Sequence, residues 1–128
     1  MLISVRSIKM YFHNSLHLLF CILGAAVIIR PPENQTVLEN AELKIPCEAK
    51  AEPANFTVKW YKDGLPVHKH ANLGSRSAVL EDGTLRIQLI TFEDSGWYAC
   101  EVGNGIGRTI TERAYINVEC KILLLIFY

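Results

Sequence analysis

Apolar and polar positions alternate with a period of two through most of this chain. Leu43, Ile45, Cys47 and Ala49 point one way while Glu42, Lys44, Pro46 and Glu48 point the other, which predicts a strand with one face buried. Phe56, Val58 and Trp60 alternate with Thr57, Lys59 and Tyr61 in a second strand, closed by the turn residues Lys62-Asp63-Gly64. After an Asp82-Gly83 turn, Leu85 and Ile87 alternate with Arg86 and Gln88. Tyr98, Cys100 and Val102 face inward on a fourth strand, and Ala114, Ile116 and Val118 on a fifth. Upstream, Pro31-Pro32 interrupts an extended segment, because proline cannot donate to a ladder and belongs at an edge. Val27 to Arg30 and Gln35 to Leu38 are thereby predicted as two short edge pieces. No 3.6-residue periodicity survives beyond the N-terminal leader, so the fold class is all-β.

At the two ends the apolar pattern is continuous instead. Arg6 and Lys9 precede an unbroken apolar stretch from Leu18 to Ile29 that contains Gly24, Ala25 and Ala26, which reads as a secretory signal peptide over residues 1–26, cleaved near Ala26. The run is about twelve residues against roughly 20 needed to cross a bilayer, so a signal anchor is the weaker reading. Strand-like sequence begins at Val27 with almost no spacer, which leaves a non-native leader as a third. At the other end, residues 122–128 after Lys121 are wholly apolar or aromatic and too short to span. Residues 120–128 therefore read as the truncated end of a longer ectodomain, or as a non-native tail. Between the two, residues 27–119 make one domain, and 128 residues leave no room for a second.

Charge changes the picture by exclusion. The formal sum is zero, but from Val27 to Cys120 ten Lys and Arg stand against thirteen Asp and Glu, a net of −3. A phosphate backbone needs a basic stripe, and none is present, so no nucleic-acid partner is expected.

The run Asp94-Ser95-Gly96-Trp97-Tyr98-Ala99-Cys100, with Cys47 and Trp60 upstream, has the spacings of an immunoglobulin sandwich. From Val27 to Glu119 the chain resembles an I-set immunoglobulin domain of the kind found in neuronal adhesion and guidance receptors. The split first strand, the short Leu65 to His70 stretch where a variable domain carries extra strands, and the Leu-x-Ile pattern of Leu85 to Ile87 add to the likeness. The resemblance implies a β-sandwich of two antiparallel sheets clamped by a Cys47–Cys100 disulfide, with Trp60 packed on the bridge, Leu85 in the core and Tyr98 tying a corner. It further implies that Arg76 pairs with Asp94 and, if buried, positions that corner more than it stabilises the domain. Closing the loop between the cysteines contributes about 4 kcal/mol on a chain-entropy estimate, and such a bond persists only in an oxidising compartment. Leader and bridge agree on an extracellular location, at the cell surface or secreted. Cys21 departs with the leader, and Cys120 is left odd: an intermolecular bridge, a partner in further sequence, or an accident of a truncated end.

Candidate chemistry is sparse. Asn34-Gln35-Thr36 and Asn55-Phe56-Thr57 are glycosylation acceptors without proline in the middle, and Asn34, on an exposed edge, is the better one. Gly103 to Gly107 has the look of a dinucleotide loop, but the spacing is G-x-G-x-G and no helix follows to receive a phosphate, so it reads as a turn in which glycine and asparagine supply positive φ. His68 and His70 could present two imidazoles on one side of an extended segment, yet no further ligand stands nearby and solvated loop histidines are the plainer reading. No metal, no cofactor and no catalytic constellation is expected, since Ser77 and Ser95 lack an elbow and bridged cysteines are not nucleophiles.

Parity places Trp97, Ala99 and Glu101 outward, with Lys59 and Tyr61 and with Arg113, Tyr115 and Asn117 on the strands that share a sheet in this fold. Trp97, Tyr61, Tyr115 and Arg113 would then form an aromatic and arginine patch of the composition enriched at binding hot spots, although cross-strand aromatics can also simply stabilise a sheet. The functional expectation is a non-catalytic recognition module of a cell-surface adhesion or axon-guidance receptor that docks another immunoglobulin domain, homophilic or heterophilic. Membrane attachment would come only through sequence not present here. The alternatives are a structural repeat of an extracellular-matrix protein and the ectodomain of a receptor kinase or phosphatase.

Overall fold

A computed structural model describes residues 24–52 and 54–120. Residues 1–23 of the expected signal peptide (1–26) and residues 121–128 of the expected tail (120–128) lie outside the described residues. Ten strands follow in chain order: β1 (Val27–Arg30), β2 (Gln35–Leu38), β3 (Leu43–Ile45), β4 (Glu48–Lys50), β5 (Thr57–Lys62), β6 (Leu65–Pro66), β7 (Ser77–Val79), β8 (Leu85–Ile87), β9 (Gly96–Gly103) and β10 (Ile110–Glu119). Single 3-10 turns at Val67–Lys69, Gly74–Arg76 and Phe92–Asp94 were not anticipated; three residues are too few to leave a periodicity in the sequence.

One layer of the sandwich is a five-stranded sheet in the order β2-β10-β9-β5-β6. The facing layer is β3-β8-β7, continued past Pro46-Cys47 by the β1-β4 pair. The strand expected from Leu43 to Ala49 is thus two pieces with different partners, β3 on β8 and β4 on β1. Pro46 lies at the break, where a missing N–H ends a ladder without leaving a donor unpaired. One edge of the otherwise antiparallel five-stranded sheet pairs differently. β2 runs parallel to β10, because the Pro31-Pro32 break lets the first strand leave one layer and join the other in its own direction.

Inward positions follow the alternation. Leu43, Ile45, Cys47, Trp60, Leu85, Ile87, Tyr98, Cys100, Val102, Ile116 and Val118 form one buried cluster between the layers. The Cys47–Cys100 disulfide joins the layers across a Cα–Cα distance of 6.5 Å. Trp60 donates from Nε1 to the carbonyl of Gly83 at 2.8 Å, so the indole is buried with its polar edge satisfied. Gly83 has to be glycine: its φ is +92° and a Cβ there would stand 2.3 Å from the Cys47 carbonyl oxygen.

Residues just ahead of β1 also pack on the domain. Ala25 and Ala26 are buried, Ala26 within the core cluster, and the Gly24 carbonyl accepts from the Asn104 side chain. Asn104 corrects the reading of its loop as well. Positive φ there belongs to Gly105 and Gly107, whereas Asn104 acts through its side chain, accepting from Ile106 N–H at 3.1 Å.

Candidate recognition face

The outer surface of the five-stranded sheet is set by register. Tyr115 on β10 stands opposite Trp97 on β9, and Arg113 is opposite Ala99. Because strand twist brings diagonal neighbours within reach of long side chains, Arg113 can lie over the ring one step away. Its guanidinium carbon is 4.8 Å from the Trp97 ring centroid, and the Trp97 and Tyr115 rings meet edge to face with centroids 5.4 Å apart. Trp97 is 45% exposed and Tyr115 39%, so this three-residue cluster keeps its apolar surface in water. Of the four residues anticipated, Tyr61 is the one that stands apart: it is opposite Ala99 on β5 and turns its hydroxyl toward Glu101, 3.5 Å away.

The backbone of Trp97 is anchored by an aspartate from another strand's turn. Asp63 lies in the tight turn between β5 and β6, with φ of 48° followed by Gly64 at 85°. Its Oδ1 accepts the Trp97 N–H at 2.9 Å, its own N–H donates to the Trp97 carbonyl at 2.8 Å, and Oδ2 accepts from Lys62 Nζ at 2.9 Å. Lys62 and the Trp97 N–H hold the Asp63 carboxyl below its ordinary value. The carboxylate fits only because residue 96 is glycine; a Cβ at Gly96, whose φ is +149°, would meet Asp63 Oδ2 at 2.6 Å. In the sequence Asp63 read as turn chemistry alone, and nothing local to it indicates a partner 34 residues away.

Beneath the face, Tyr98 is fully buried and donates to the Asp94 carbonyl at 2.7 Å. Burial pushes its phenol well above the ordinary value. Arg76 reaches Asp94 as a bidentate fork, Nη1 to Oδ2 at 2.9 Å and Nη2 to Oδ1 at 3.0 Å. It also spans the turn after β8 by donating to the carbonyls of Gln88 and Leu89. Burial alone would raise the Asp94 carboxyl, but the Arg76 fork and the Thr91 N–H, which donates at 2.8 Å, together hold it below the usual range. Arg76 thereby ties three segments of chain at the corner where β9 begins.

The remaining candidates scatter. Asn34 and Asn55 are both exposed, Asn34 just ahead of β2 and Asn55 at the far end of β5. His68 is exposed within a 3-10 turn, while His70 is half-buried with Nε2 3.1 Å from the Lys62 carbonyl. Among the described residues no group of three His, Cys, Asp or Glu could hold a metal ion. Cys120 Sγ lies 3.5 Å from Glu39 Oε1.

Two layers stapled through Cys47 and Cys100 behind an indole, with a tyrosine tying the corner before the second cysteine, define an immunoglobulin β-sandwich. The chain belongs to the immunoglobulin domain family, whose profile matches residues 27–104. It is 50% identical over 98 residues to Protein turtle of Drosophila melanogaster, covering 77% of this chain and 6% of that protein. To Protein turtle homolog A of Mus musculus it is 38% identical over 97 residues, covering 76% and 8%. Among solved structures, extracellular domains 3-5 of Drosophila OTK superpose with a TM-score of 0.65 at 28% identity, covering 74% of this chain and 32% of that one. The chain thus spans under a tenth of the length of these curated relatives.

Proposed function

We propose that this domain is a non-catalytic recognition module in the extracellular part of a cell-surface adhesion or guidance receptor, and that it docks another immunoglobulin domain through the outer face of its five-stranded sheet. The observation that carries this reading is the exposed Trp97–Tyr115–Arg113 cluster, with the Trp97 backbone anchored by Asp63. Rigid aromatic anchors with an arginine are the composition that concentrates binding energy at protein interfaces, and the contacts of the Trp97 ring with Tyr115 and Arg113 limit its freedom before docking, which lowers the entropy lost. Similarity to extracellular domains of Drosophila OTK supports an extracellular setting. The disulfide supports an oxidising compartment, reached through the N-terminal leader. No described helix is long and apolar enough to cross a membrane, and attachment would come from sequence beyond this domain.

Replacing the anchor tests the reading directly. Trp97→Ala is expected to weaken self-association, or binding to a second immunoglobulin ectodomain, by about 2 kcal/mol, roughly thirtyfold in affinity, with a melting temperature nearly unchanged. Sedimentation equilibrium separates the homophilic case from the heterophilic one. Equal binding by variant and wild type removes this face from consideration.

A further inference from the structure

Asn34 does more than mark a consensus. Its Oδ1 accepts the backbone N–H of Tyr115 at 2.8 Å, so the side chain reaches from the start of β2 onto the strand that carries the aromatic cluster. A backbone N–H requires an acceptor, which assigns the oxygen to the inward arm of the planar amide and turns Nδ2 to solvent. The β2–β10 register pairs Gln35 with Ile116 and Thr36 with Asn117, placing Asn34 beside Tyr115, and Tyr115 in turn faces Trp97. Asn34, Tyr115, Trp97 and Asp63 therefore form one continuous row across the sheet. Asn34 and Thr36 are exposed, and Pro32 lies outside the Asn34-Gln35-Thr36 triplet.

We propose that Asn34 carries an N-linked glycan whose first sugar stands against Tyr115 at the rim of the Trp97 cluster, so that its occupancy controls access to that face. Transfer forms a bond between Nδ2 and the anomeric carbon of a lipid-pyrophosphate-linked oligosaccharide. That carbon's bond to the pyrophosphate oxygen breaks, and Nδ2 loses a proton. Oδ1 takes no part, so the hydrogen bond from Tyr115 is kept and anchors the linkage next to the aromatic pair. Asn55 provides the contrast. It precedes Thr57, which pairs with Gly103, six residues along β9 from Trp97, or about 20 Å at the rise of a strand. The control of access rests on the recognition face proposed above, but the modification does not.

The two tryptophans make the test specific, since Trp60 is buried and collisional quenchers reach only Trp97. The full chain is produced in animal cells, and the Asn34 peptide is examined by mass spectrometry after enzymatic deglycosylation in heavy-oxygen water, which tags an occupied site. Acrylamide quenching is then compared between wild type, Thr36→Ala and Asn55→Gln. Thr36→Ala abolishes the acceptor while leaving the Asn34 amide free to meet Tyr115 N–H. The expected result is a tagged Asn34 and a larger quenching constant in Thr36→Ala, equal to that of enzymatically deglycosylated wild type, with Asn55→Gln matching untreated wild type. An Asn34 peptide found without the tag, whether the chain is exported or retained, overturns the assignment. A tagged site with identical quenching in wild type and Thr36→Ala overturns the control of access. Neither readout uses a partner, so failure of the recognition reading, seen as equal binding by Trp97→Ala, is a separate result.

Discussion

Single residues decide how the corner before β9 is held. Asp94 is buried to 5% exposure, and its carboxylate is shared between the Arg76 fork and the Thr91 N–H. A folded-state carboxyl held below its ordinary value of 3.8 contributes stability that is complete above that value and lost as pH falls through the lower folded value. Asp63 and Asp82 are lowered too, so all three act in the same direction. Stability from denaturant melts is expected to be flat from neutral pH to about 5 and to drop below about 4. Asp94→Asn should cost about 2 to 3 kcal/mol at neutral pH and shallow the acid limb, because breaking one side of a largely buried pair leaves Arg76 without its counter-charge. An acid limb as steep in Asp94→Asn as in wild type would show that other carboxylates carry the dependence. The pairing of Arg76 with Asp94 was legible from family likeness. The grip of Asp63 on Trp97 was not, since a turn aspartate looks the same with or without a distant N–H to accept.

At the scale of elements, β9 and β10 carry both the core and the face, one on each side of the pleat. Ile116 is fully buried, and its neighbour Asn117 is exposed on the opposite side. Ile116→Ala is expected to cost about 3 kcal/mol, through lost transfer energy and a residual cavity, while Asn117→Ala stays within about 0.5 kcal/mol. Urea midpoints of the two variants check this, and comparable losses would mean that the strand's sidedness is misassigned. Gly83→Ala belongs here as well, because the turn before β8 accepts from Trp60 and leaves room for the Cys47 carbonyl only without a Cβ. It should cost at least about 2 kcal/mol although it adds only a methyl group, and a variant as stable as wild type would mean that the turn relaxes freely. Alternation made β5, β8 and β9 readable within a residue or two, and the second half of β10, whose first residues from Ile110 are more exposed and polar and carry no such pattern. The break between β3 and β4 and the parallel run of β2 were not readable, since alternation reports which side a residue faces and says nothing of which strand lies alongside.

For the molecule as a whole, the bridge between layers is the long-range constraint. Cys47 and Cys100 are 53 residues apart in sequence, so closing that loop stabilises the fold by about 4 kcal/mol on the chain-entropy estimate. Unfolding in urea with and without a thiol reductant, alongside the Cys47→Ala/Cys100→Ala double variant, should show a loss of that order in both reduced and double-mutant protein. A reduced domain as stable as the oxidised one would indicate that the core alone suffices. The same bridge sets where the protein can work, because only an oxidising compartment preserves it.

Taken by itself, the sequence determined the class of fold, the inward residues and the cysteine pair, since period-two burial and the spacing of Cys47, Trp60, Tyr98 and Cys100 are one-dimensional signals. It also placed Trp97, Tyr115 and Arg113 on one outer surface by parity. Only the tertiary structure decided that those three touch while Tyr61 stands aside, that Asp63 fits against Gly96 and the Trp97 backbone, and that Asn34 reaches Tyr115. These contacts join residues tens of positions apart through strand register and twist, and register is a property of two strands together that neither one encodes alone.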